Sequence, residues 1–63
     1  MIPVVLIVSF TDGTQETYAA DEERMDASAA ILSFATIEEH QYGIPLTSIK
    51  LWKVEASGSK LAG

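Results

Sequence analysis

Ile2-Pro3-Val4-Val5-Leu6-Ile7-Val8-Ser9-Phe10 runs directly into Thr11-Asp12-Gly13-Thr14. Successive side chains of a strand point to opposite faces, so a half-buried strand alternates apolar with polar residues. This stretch does not alternate. Ile2, Val4, Leu6, Val8 and Phe10 share one face and Val5 and Ile7 the other, which predicts a central strand whose two faces both need cover.

The stretch ends in a turn signal. Asp12-Gly13 between strand-formers suits a two-residue type I′ turn, which needs positive φ at both central positions. Such a turn sets Thr11 opposite Thr14, Phe10 opposite Gln15, Ser9 opposite Glu16, Val8 opposite Thr17 and Ile7 opposite Tyr18. The returning strand, Thr14 to Ala19, is more polar, as befits an edge.

Farther along, a helix is expected, starting between Asp21 and Asp26 and ending near Tyr42. Acidic residues favour the first turn of a helix, Gly43 suits the left-handed position after its end, and Pro45 follows. Ala27, Ala30, Ile31, Phe34, Ile37 and Gln41 recur at spacings of three and four, a stripe fit to pack on a sheet. Leu32 falls near the polar side of this helix, and Glu38 inside its apolar arc. Thr47 to Ala56 reads as a third strand, with Ile49 and Leu51 on one side and Trp52 and Val54 on the other.

The expected fold class is therefore α+β, in the order β-β-α-β. It comprises a three-stranded antiparallel sheet of order 2-1-3, with one helix packed on one face. Residues 1–56 form the single domain, and residues 57–63, rich in Gly, Ser and Ala, a flexible C-terminal tail.

Size and charge narrow the function. A chain of 63 residues buries only roughly 60% of its unfolded surface. It has no cysteine with which to staple itself, so oligomerisation is the remaining common support. Nine acidic residues against four basic leave a net charge of -5. That balance disfavours direct nucleic-acid binding and anionic membrane surfaces, and points to protein partners. The apolar start lacks the basic leader and small-residue cleavage site of a secretory signal and is too short to span a membrane as a helix. A cytoplasmic protein is expected, or one acting in host cytoplasm if viral.

No catalytic residue, cofactor-binding residue or metal ligand is assigned. One histidine and no cysteine cannot furnish a nucleophile triad, and no phosphate loop, zinc spacing or calcium loop is present. His40, beside Glu38, Glu39 and Gln41, fits a solvated histidine at a helix end better than a general base. Asp21, Glu22, Glu23 and Asp26 fit an acidic first turn, and with Glu38 and Glu39 they make an acidic surface. The protein-interaction patch is assigned to Val5, Ile7, Tyr18, Trp52 and Val54, expected together on the sheet face opposite the helix. Buried aromatics are the usual anchors of interfaces.

The expected function is a small acidic, non-catalytic protein-binding module. It would act as a regulator or inhibitor, such as a phage-type accessory protein, through an apolar sheet face or as a homodimer. Two other classes remain open from the residues. One is an acidic mimic of nucleic acid that blocks a nucleic-acid-binding protein. The other is a subunit of an oligomeric enzyme with its site between chains, using His40 with Glu38 or Glu39.

Overall fold

The computed structural model describes residues 1–56, which form an all-β fold. The segment expected as a tail lies outside the described residues. Six strands occur in order: β1 Pro3–Phe10, β2 Gln15–Asp21, β3 Asp26–Ser28, β4 Ile31–Ala35, β5 Gln41–Pro45 and β6 Ile49–Ala56. Single 3-10 turns at Glu22–Arg24 and Leu46–Ser48 join β2 to β3 and β5 to β6. The strands make two antiparallel sheets of three, β2-β1-β6 and β3-β4-β5.

In the first sheet the most apolar strand, β1, is central. Its hairpin with β2 differs in register from a two-residue turn. Leu6 lies opposite Tyr18, Ile7 opposite Thr17 and Ser9 opposite Gln15, one position from the expected pairing. The cause is the turn. Gly13 N–H donates to Phe10 O and Phe10 N–H to Thr14 O, with Gly13 at φ +94°. This three-residue loop needs positive φ once, where only glycine is unstrained. Asp12 accepts from the amide and hydroxyl of Thr14, which holds its carboxyl below the ordinary range.

The expected helix between Asp21 and Tyr42 does not form, so the α+β assignment is corrected to all-β. Its span holds the Glu22–Arg24 turn, β3, β4 and the start of β5. Along residues 31–34 the side chains follow a period of two: Leu32 and Phe34 are buried, Ile31 and Ser33 exposed. A helix would have buried Ile31 and Phe34 and left Leu32 outside. Hairpins instead place Ile44 opposite Leu32 and Tyr42 opposite Phe34, giving a broad apolar roof that a narrow helical stripe cannot match. Gly43 and Pro45, expected as helix stops, lie in β5, an edge strand that tolerates proline.

The core forms where the sheets meet. Val4, Leu6 and Val8 of β1 and Ala20 of β2 pack with Leu32 and Phe34 of β4, and Phe10, Tyr18, Met25, Ile44, Leu46 and Ile49 surround them. The sheets are also joined through the backbone: Ala20 bridges Thr36, and Ile37 N–H donates to Ala19 O at 3.0 Å. These contacts close part of the outer edge of β2.

Candidate interaction surface

β6 is an outer strand of the first sheet and, among the described strands, pairs with β1 alone. A register shift sets Leu51 opposite Ser9 but Ile49 opposite Phe10, leaving Lys50 as the extra residue of a bulge. Ile49 therefore turns toward the core, and Leu51, expected on the same side as Ile49, turns to the other face. Beyond the bulge the strand is exposed on both sides. Leu51 is 49% exposed, Trp52 37% and Val54 39%. Three large apolar side chains on the two faces of one outer strand leave a surface whose burial would be favourable by roughly 1.5–3 kcal/mol for each one fully covered.

The five residues assigned to an interaction patch do not share a face. Directly opposed residues of paired strands point the same way. Leu6 faces Tyr18 and Val54, and Val8 faces Trp52, so Tyr18, Trp52 and Val54 lie on the core side of the sheet. Val5, opposite Ala19 and Glu55, and Ile7, opposite Thr17 and Lys53, lie on the other side. The one-residue change of hairpin register is what moves Tyr18 across. Tyr18 packs on Phe34 and Tyr42 with ring centroids at 4.9 and 5.2 Å, and Phe34 stacks on Tyr42 at 5.2 Å. Burial there, with Glu16 and Tyr42 nearby, pushes the Tyr18 phenol above its ordinary value. Tyr18 thus belongs to the junction of the sheets, whereas Trp52 and Val54 remain exposed on β6.

The sequence reading left the exposed Leu51 out of the patch. The signal was present: Leu51, Trp52 and Val54 occupy both parities of one strand, so no single cover could shelter all three.

The acidic residues separate into two groups. Asp21 is 3% exposed and caps the Glu22–Arg24 turn. Its carboxylate accepts from Ile2 N–H at 3.1 Å, Glu23 N–H at 3.1 Å and Arg24 Nε at 3.0 Å. These bonds, that from Ile2 foremost, hold its carboxyl below the ordinary range. Arg24 also forks onto Glu39 with both contacts at 3.3 Å, and the Met1 ammonium meets Glu23 at 2.8 Å. Asp21, Glu23 and Glu39 are therefore paired within the chain. Glu22, Asp26 and Glu38 are exposed, and Asp26 accepts from the Ser28 hydroxyl.

His40 lies in the turn between β4 and β5, where its N–H donates to Thr36 Oγ1 at 3.1 Å. It borders, with Glu38, Thr17 and Tyr18, an open depression of about 250 Å³. A second depression of about 410 Å³ lies beside Arg24, Ser33, Gln41 and Gly43. Among the described residues, no group of three or more His, Asp or Glu side chains could hold a metal ion, and no helix is long and apolar enough to cross a membrane. Comparison with protein-family models, curated proteins and solved structures found no match.

Proposed function

We propose that the chain is a small acidic, non-catalytic protein-binding module, a regulator or inhibitor acting in the cytoplasm of its own cell or of a host. It meets its partner through β6. The observation that carries this reading is the exposure of Leu51, Trp52 and Val54 on both sides of one edge strand. Interfaces draw their energy from a few such side chains, tryptophan above all. The nucleic-acid mimic is less well supported, because Asp21, Glu23 and Glu39 are already matched by cations of the same chain.

Site-specific photo-crosslinking tests the reading. A crosslinking residue in place of Leu51 should capture a discrete protein in cells, and one in place of exposed Ser33 on β4 should not. Equal capture at both positions, or none at Leu51, would reject it.

A further inference from the structure

β3 and β4 are joined by Ala29 and Ala30 alone, at φ 52° and 65°. Two successive left-handed residues make the tight turn that Asn-Gly or Gly-Gly normally supplies. Alanine resists that backbone, and it has no side-chain oxygen with which to bond its own turn. Glu39, another left-handed residue, is gripped by Arg24, whereas Ala29 and Ala30 are exposed and carry only a methyl group apiece.

The strained turn also divides the chain into two halves that depend on each other. Residues 1–28 hold β1, β2 and β3, and residues 31–56 hold β4, β5 and β6. The core lies between them: Val4, Leu6, Val8 and Ala20 come from the first half, Leu32 and Phe34 from the second. The β1–β6 and β3–β4 ladders, the Ala20–Thr36 bridge and the Arg24–Glu39 fork also join one half to the other. The complementary half of a second chain can make every one of these contacts equally well.

Register decides whether the hinge permits the exchange. Asp26 lies opposite Ser33, Ala27 opposite Leu32 and Ser28 opposite Ile31. One step further, the same register sets Ala29 opposite Ala30. If the turn opens to extended backbone, residues 26–35 become one unbroken strand. Two such strands, antiparallel about a two-fold axis, keep every pair of the β3–β4 ladder and add Ala29 opposite Ala30 of the partner, twice. The β4–β5 ladder accepts the change as well. Ile31 lies opposite Pro45, and Leu46 N–H donates to Ala30 O at 2.9 Å, the next position in that register.

We propose that the chain pairs with a second copy of itself by exchanging halves, with Ala29-Ala30 as the hinge and residues 26–35 as the shared central strand. The exchange relieves left-handed strain at four residues of the dimer and keeps the ladders and core contacts named above. The depression beside His40 then draws its walls from both chains, Thr17 and Tyr18 from one and Glu38 and His40 from the other.

The chain has no cysteine, so a pair placed on β1 and β6 reports which chain supplies each strand. Ser9→Cys with Leu51→Cys sets two thiols on directly opposed residues. Refolded dilute and then oxidised, this variant should close within one chain. Refolded at millimolar concentration, it should give a disulfide-linked dimer that survives denaturation without reductant. Ala29→Asn with Ala30→Gly should weaken the dimer roughly thirtyfold by sedimentation, about fivefold for each of two chains. Deleting Ala29 and Ala30 removes the turn but leaves the other strand residues on their own faces, since two residues are one strand repeat. That shortened chain should be dimeric at every concentration. Only intrachain disulfides after concentrated refolding would overturn the proposal, whether the protein is then a monomer or a dimer of closed chains. So would equal dimer fractions with and without Ala29→Asn and Ala30→Gly, or a shortened chain that folds as a monomer. Should the shortened chain not fold, the disulfide and sedimentation results decide alone.

Discussion

The turn after β1 and the turn after β4 follow the same backbone path. In the first, Phe10 N–H donates to Thr14 O and Gly13 N–H to Phe10 O; in the second, Thr36 N–H donates to His40 O and Glu39 N–H to Thr36 O. The fourth position is left-handed in both, with Gly13 at φ +94° and Glu39 at φ +71°. Glycine takes that conformation freely, and glutamate does not. What holds Glu39 is outside the turn, in the fork of Arg24 that is itself anchored on Asp21. The turn between β3 and β4 goes further, with Ala29 and Ala30 at φ 52° and 65° in the two places where Asn-Gly is usual. The first hairpin is thus closed by its own residues, and the second sheet by what it packs against.

The sharpest test of that contrast lies in β4. Leu32, 1% exposed, should lose about 3 kcal/mol on replacement by Ala, as buried leucines do. Ile31, 42% exposed, should lose less than about 1 kcal/mol in the same change. Denaturant unfolding measures both, and the opposite order would restore the helix and remove the second sheet. Next come the turns. Ala29→Asn with Ala30→Gly should stabilise the protein by about 1 kcal/mol through relief of left-handed strain, whereas Gly13→Ala should cost about 1 kcal/mol. Should the alanine replacements leave stability unchanged, the second sheet would carry no local strain.

The smallest effect concerns the anchor between the two regions. Asp21→Asn should lower the melting temperature by only a few degrees at neutral pH, since an amide oxygen can still accept from Ile2 and Glu23. Asp21 has a folded value below the ordinary carboxylate range, so its contribution is full above that range and disappears as pH falls through the lower folded value. Wild type and variant should converge on acidification through that range. A gap that persists in acid would mean that the carboxylate charge does not matter.

The same contrast explains what could be read from the residues. β1, the hairpin to β2 and the return of β6 to the far side of β1 were legible, because apolar runs and Asp12-Gly13 announce them locally. The hairpin register was not, because Asp-Gly serves two turn lengths that differ by one residue. The second sheet was hidden by its turns. Ala29-Ala30 and Glu39 carry helical propensity where the fold needs left-handed backbone, and Ala27, Ile31 and Phe34 match a helical period by coincidence. Leu32, placed on the polar side of the expected helix, was the residue out of step. At the candidate surface, Trp52 and Val54 are exposed, but on the core side of the sheet and not with Val5 and Ile7 as expected. Tyr18 was misplaced with the register, and the separation of Leu51 from Ile49 onto opposite faces was hidden by a bulge that only the pairing reveals.

β3 has three residues, all exposed, and leaves the sheet through the Ala29-Ala30 turn. Few buried contacts and a strained closure give that corner little to resist opening. It is where the chain should peel first, and where a protease would find a foothold while the opposite end, built on β1, is still intact.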